Sequence, residues 1–212
     1  MLLEGRFVRL EPLMVPHAAA LHGANSDPAR WHWLPYGPFA LAEYEDWVRE
    51  ISRHPDPLFF AFVTDQGPVG IASYLRIAPA AGSIEIGHIN FSPLLAATPA
   101  ATEGLFLMMD WAFAAGYRRL EWKCDSKNLP SRRAAQRLGL SWEGIFRQAT
   151  LSKGRNRDTA WFAATDGDWK MLRGAFTRWL AETNFDGEGR QRERLSALTA
   201  PALVARDPLE MS

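Results

Sequence analysis

Asn128 and Ser131 stand at the head of the segment Asn128-Leu-Pro-Ser131-Arg-Arg-Ala-Ala-Gln-Arg-Leu138-Gly139-Leu140-Ser-Trp-Glu143-Gly144, where side chains of their types can exchange protons and hydrogen bonds with a ligand. The Asn128 amide oxygen can equally accept from the unpaired N–H groups of a first helical turn, and the Ser131 hydroxyl can bond to backbone alone. His88 is the other residue suited to proton transfer, because an imidazole titrates near ~6.5 and can relay a proton at neutral pH. A lone histidine on a strand also serves as an ordinary structural residue. Other chemistries find little support. His17, His22, His32, His54 and His88 show no H-x-x-x-H spacing and there is no pair of cysteines, so no metal site is expected. No G-x-S-x-G elbow is present. Cys124 alternates with apolar positions and reads as a core thiol, with an acetyl-cysteine route as the alternative.

The elements that must hold these residues follow from the hydrophobic pattern. Pro130 suits a helix start, Ala134, Ala135 and Leu138 follow at helical spacing, and Gly139 supplies a left-handed stop. Arg132, Arg133 and Arg137 are free in this reading to face solvent or a polyanion. Upstream, Leu120, Trp122 and Cys124 alternate with Arg119, Glu121 and Lys123, the pattern of a half-buried strand feeding the Asn128 helix. A strand at 83–91 carries Glu85 and His88. It is preceded by strands at 58–64 and 69–77, joined by the turn Asp65-Gln66-Gly67-Pro68. The residues around Phe7, Val8 and Leu10 predict a first strand, and 16–23 and 40–54 predict helices. Between those helices the loop 25–39 carries Trp31, His32, Trp33 and Tyr36, which either shape an acceptor pocket or plug a core edge. An apolar helix over 100–115, a hairpin over 144–165 turning at 153–156, and a helix over 168–181 complete the pattern.

With 212 residues and 24 basic against 24 acidic side chains, the chain is long enough for a well-buried domain, and its charge points neither to nucleic acid nor to membrane. A 47% hydrophobic share with nine Trp and twelve Phe argues for a large aromatic core. A single cysteine excludes an internal disulfide, and the charged start Glu4-Gly5-Arg6 lacks the apolar run of a signal peptide. No stretch reaches the ~20 apolar residues of a membrane span. The expectation is a cytoplasmic protein.

The whole string N-x-x-S-x-x-x-x-x-x-L-G-hydrophobic-x-x-E-G resembles the last cofactor-contacting segment of the GNAT acetyltransferase superfamily, in particular the branch that acetylates ribosomal-protein N-termini and its small-molecule relatives. The element order over about residues 5–180 also matches that fold, a mixed α/β architecture in which a central mixed sheet flanked by helices splays at its middle around the cofactor. The resemblance implies a single acetyltransferase domain over residues 1–182 and a polar C-terminal extension over 183–212. It implies acetyl-CoA as co-substrate, no metal, and direct acetyl transfer to a primary amine, either a protein N-terminus or a small molecule. It further implies that the backbone near Asn90 and Phe91 receives the thioester carbonyl, that Asn128 holds the pantetheine arm or a water, and that Ser131 lies near the sulfur and can protonate it. Glu85 becomes the leading candidate base and His88, where relatives often have Tyr, the second. Glu103 and Asp125 are weaker options, better suited to a helix dipole and a loop cap.

One departure stands out. Family members usually carry Q/R-x-x-G-x-G/A before the central helix, so that closely approaching N–H groups bind the pyrophosphate. Here the stretch is Ser92-Pro-Leu-Leu-Ala-Ala-Thr98-Pro99-Ala100-Ala101-Thr102-Glu103, without glycine, and Pro99 removes a donor. Thr98 can cap, and Ala100 and Ala101 are small enough for a phosphate to approach, so the expectation is a substituted phosphate loop with retained function. The alternative is a non-catalytic acyl-CoA-binding or interaction module. The acceptor bears on the base required: a peptide α-amine has a pKa of ~8 and lysine ~10.4, so presenting neutral lysine at pH 7 costs roughly 3 kcal/mol more. Trp169, Leu172, Phe176, Trp179 and Leu180 form a stripe that serves either a homodimer or the core. The acceptor's identity is not written in the sequence.

Overall fold

The computed structural model describes residues 1–210, which cluster into two compact units, Met1–Trp111 and a second beginning at Ala112. In the first unit, β1 (Leu3–Glu4), β2 (Arg9–Pro12), β3 (Leu58–Thr64), β4 (Gly67–Ala78) and β5 (Ser83–Phe91) form an antiparallel meander in chain order. Helices α1 (Ala18–Ala24) and α2 (Leu41–Ile51) intervene after β2, and α3 (Pro99–Ala114) follows β5. The β3 sequence Leu-Phe-Phe-Ala-Phe-Val-Thr is apolar at nearly every position because both of its faces are covered. Phe59, Ala61 and Val63 join a cluster with Ala18 and Leu21 of α1 and Tyr44 and Val48 of α2. The alternate residues face α3. Phe62 lies so close to Gly104 that a Cβ there would sit 2.2 Å from its ring, and the Tyr74 hydroxyl donates to the Met108 carbonyl at 2.6 Å.

The strand expected around Phe7, Val8 and Leu10 is β2, which begins only at Arg9, with the short β1 at Leu3–Glu4 before it. The amides of Phe7 and Val8, with that of Arg6, are taken by the buried Glu103 carboxylate at 2.6–3.1 Å, so they are withdrawn from the ladder until Arg9. Glu103 is therefore a clamp on the N-terminal segment.

The second unit holds β6 (Arg119–Asp125), α4 (Leu129–Arg137), β7 (Ser141–Ser152), β8 (Arg155–Thr165), α5 (Asp166–Leu180) and α6 (Leu195–Thr199). Its strands are antiparallel in the order β6-β8-β7. The hairpin between β7 and β8 turns in two residues, Lys153 and Gly154, both with left-handed φ (48° and 74°), as a tight twisted hairpin requires. β6 shows strict alternation, with Leu120, Trp122 and Cys124 buried. Of the α5 stripe, Trp169, Leu172, Phe176 and Trp179 are buried within this unit and Leu180 is half-buried.

The segment after residue 183 is polar in composition but is built into the second unit. Leu195, Thr199 and Asp207 are buried. The Thr199 hydroxyl donates to the Arg137 carbonyl at 3.0 Å, and the Trp142 amide donates to the Ala205 carbonyl at 3.1 Å.

Candidate active site

In the second unit, Asn128 is the N-cap of α4, its side-chain oxygen accepting from the Ser131 amide at 3.2 Å. Pro130 occupies the first turn, where its missing donor costs nothing. At the far end Gly139 adopts φ 89°, and a Cβ there would meet Leu172 at 2.2 Å, so the stop is both conformational and steric. With the Ser131 backbone pinned, its half-buried hydroxyl engages a side chain: the Trp122 indole N–H donates to Ser131 Oγ at 3.0 Å. Cys124, on the same face of β6, also hydrogen-bonds with Ser131. Burial pushes the Cys124 thiol up to about 11 from an ordinary 9, outweighing the Ser131 hydrogen bond and the nearby charges of Arg157 and Arg132. It remains a thiol at neutral pH, as a core residue should, and is a poor nucleophile there.

Two arginines of α4 do not face solvent as their sequence pattern predicts. Arg132 is buried and pairs in bidentate fashion with Asp207, at 2.6 Å from Nε and 2.5 Å from Nη2, while its Nη1 donates to the Ser126 carbonyl at 2.5 Å. Asp207 also donates its amide to Gln136 Oε1. Arg137 lies over the Trp179 ring at 5.2 Å, and burial lowers its pKa. Each charge is drawn inward by a partner distant in sequence; Arg133 stays exposed.

In the first unit, Glu85 and His88 lie on β5. Glu85 is buried and its Oε2 receives Arg76 Nη1 at 2.6 Å. A register shift between Ile71 and Ser73 on β4 places His88 in a bulge with φ 51°, a conformation β-strand residues seldom adopt. The Ser73 hydroxyl donates to the Gly87 carbonyl at 3.3 Å and lies 2.9 Å from His88 Nδ1. The Ser73 hydroxyl has one proton to share between these two neighbours, and it anchors the imidazole through Nδ1. Phe59 stacks on the ring at 5.1 Å, and Tyr36 lies 5.7 Å away on a centroid basis. The buried Tyr36 hydroxyl finds no hydrogen-bond partner among the described residues.

The aromatic loop thus divides. Trp31 is a core plug, its N–H donating to the Asn25 carbonyl at 3.0 Å and its ring edge-on to Phe39 and Tyr44. His32 and Trp33 pair with each other, and Tyr36 reaches His88. Asn90 is buried and Phe91 tilts against Phe62 at the end of β5, paired with Ile71 and Gly70.

The stretch before α3 is tightly self-bonded. The Thr98 hydroxyl donates to the Leu95 carbonyl at 2.6 Å and accepts from the Ala101 amide at 3.2 Å, which makes it the helix cap. The amides of Leu95, Ala96, Thr98 and Thr102 also have acceptors within the stretch. An anion bound here would draw on the amides of Ala97, held at φ 62°, and Ala100. Small side chains at 96, 97, 100 and 101 leave the backbone approachable, so the residues fit a phosphate, with fewer donors than a glycine-rich loop supplies.

Trp122, Ser73, Arg76 and Asp207 are site neighbours that the motif pattern did not name. An inward tryptophan must place its N–H somewhere, which is a signal for Trp122; Asp207 has no local signal at all.

A two-unit α/β protein with a capped helix presenting a hydroxyl, and a bulged strand presenting an imidazole, fits the acyltransferase class. A family model for the acetyltransferase (GNAT) domain matches residues 8–141, so the chain belongs to the GNAT acetyltransferase family. A GCN5-related N-acetyltransferase from Brucella melitensis is 46% identical with a TM-score of 0.91, over 94% of this chain and 94% of that one. A GNAT-family protein from Chromobacterium violaceum ATCC 12472 is 42% identical with a TM-score of 0.76, over 80% of this chain and 88% of that one. RimL, a ribosomal L7/L12 α-N-protein acetyltransferase, shares the fold at 20% identity and a TM-score of 0.69, over 78% of this chain and 94% of that one. No curated protein matches the sequence. Among the described residues no helix is long and apolar enough to cross a membrane, and no group of three or more His, Cys, Asp or Glu is placed to hold a metal ion.

Proposed function

We propose that this GNAT acetyltransferase moves the acetyl group of acetyl-CoA directly to a primary amine, a protein N-terminus or a small-molecule amine, with Ser131 protonating the departing thiol. The observation that carries this reading is the half-buried Ser131 hydroxyl at the start of α4, engaged by a side chain rather than spent on the helix backbone. Its Asn128 neighbour keeps its oxygen on the cap and has its NH2 group to offer the pantetheine arm. The backbone near Asn90 and Phe91 is assigned to the thioester carbonyl, and Ala97, Ala100, Ala101 and Thr98 to the pyrophosphate stretch. We read residues 1–182 as the acetyltransferase domain and 183–212 as its extension; the family match spans parts of both compact units, which favours a single functional domain.

For the base, the Ser73 contact that anchors His88 supports the imidazole over Glu85, whose carboxylate carries the Arg76 ion pair. The orphaned Tyr36 hydroxyl beside it would receive or donate a hydrogen bond to the acceptor. A weakly basic amine such as a peptide α-amine suits this arrangement, because far more of it than of a lysine side chain is already neutral at pH 7. Ser131→Ala should lower kcat about 100-fold with KM for acetyl-CoA nearly unchanged, and His88→Gln should remove the acidic limb of the kcat/KM profile. Unchanged turnover in the first variant, or an unchanged profile in the second, removes that residue from its role.

A further inference from the structure

We infer that Trp122 is the positioning residue that aims the Ser131 proton. The inference rests on Ser131 being the thiol's proton donor, as proposed above. An indole N–H donates and never accepts. With Trp122 Nε1 at 3.0 Å, the Ser131 oxygen must act as acceptor on that side, so its own proton is directed away from the indole. The ring is held by its strand: Trp122 is buried on the inward face of β6, in register with Phe162 of β8. The serine is held by its cap, through the Asn128 oxygen on its amide. Two rigid supports thus fix the donor–acceptor pair, while Cys124, which also hydrogen-bonds with Ser131, offers a neutral sulfur, a weak acceptor that gives up its hydrogen bond at little cost.

The consequence for the reaction is specific. As the amine nitrogen bonds to the acetyl carbon and the C–S bond breaks, the electron pair leaves with sulfur, and Ser131 passes its proton to that sulfur. The nitrogen releases one proton to the base, and Ser131 is reprotonated through solvent, so the products are the amide and the free thiol with no net proton change. The Trp122 N–H lowers the cost of this step by stabilising the oxygen while negative charge grows on it.

The test is a double-mutant cycle on the full chain. Trp122→Phe should lower kcat about five- to tenfold, the range of one neutral hydrogen bond, with KM for acetyl-CoA unchanged within about twofold. In the Ser131→Ala background the same substitution should lower kcat no further, because the group it acts through is gone. To keep packing intact should phenylalanine destabilise the strand, the benzothienyl analogue of tryptophan is placed at position 122; it retains the bicyclic ring and lacks the N–H. An unchanged kcat with this analogue, or the same fold-loss with and without Ser131, overturns the positioning role and leaves the Ser131 reading intact. Full turnover in Ser131→Ala alone overturns both.

Discussion

Ser131 and Cys124 are hydrogen-bonded neighbours in different surroundings. The cysteine is buried on an inward strand position where desolvation holds it as a thiol. The serine stands half-buried on the first turn of a helix, held by its backbone and oriented through its oxygen. Cys124→Ala should therefore keep at least half of the wild-type turnover, and alkylation of Cys124 in the folded protein should stay slow at pH 8 and accelerate only as pH approaches about 11. A variant that loses all turnover, or rapid labelling at pH 8 without unfolding, would restore the acetyl-cysteine route. The motif made Asn128 and Ser131 legible from sequence because cap and hydroxyl lie within one helical turn. The Ser73 contact with His88 was not legible, since a bulge changes which residues face each other without leaving a mark in the hydrophobic pattern.

At the scale of elements, α4 is fastened from behind by the C-terminal segment. Arg132 and Asp207 form a pair with both side chains almost fully buried, and the same arginine ties down the Ser126 carbonyl just before the cap. Removing one partner leaves a buried charge unmatched, which costs about 3–5 kcal/mol. Asp207→Ala should lower Tm by about 10 °C, and it should raise KM for acetyl-CoA at temperatures where the variant is still folded. A Tm within about 2 °C of wild type in calorimetry would show that the pair does not secure the helix. Here the sequence misleads for a physical reason. Arg132 lies on a helix whose apolar positions explain its packing without it, and the residue that draws it inward lies in a segment whose composition reads as a solvated tail. The strands and central helices, by contrast, were legible to within a few residues, because period-two and helical spacing carry their own evidence. The β2 start slipped because Glu103, remote in sequence, claims the amides of Arg6, Phe7 and Val8.

For the whole molecule, the charge is balanced, and a few ionic side chains are embedded beside the buried cores. Glu121 is one of them: burial alone would raise its carboxyl above the ordinary 4.5, but Lys123 and Arg119 outweigh it and hold the value below. A carboxylate depressed in the folded state contributes stability that is complete above its unfolded pKa and is lost as pH falls through the lower folded value. Wild type should thus lose part of its Tm below about pH 4.5, and Glu121→Gln should shrink that loss. An identical acid profile in the variant would remove Glu121 from the balance. Fold class and family were readable from one helix motif and the order of elements. The acceptor was not, because one fold serves many substrates and the choice rests on a few side chains that no motif marks.

The most direct measurement is release of free thiol from acetyl-CoA by the purified chain over a panel of amines, covering peptides with free N-termini, amino acids, polyamines and a lysine side-chain mimic, with products weighed by mass spectrometry. The expected result is amine-dependent release with the acetyl group on nitrogen, fastest for amines of low pKa and about 100-fold slower in Ser131→Ala. Thermal stabilisation by acetyl-CoA with no amine-dependent release, or equal rates for Ser131→Ala, would contradict it.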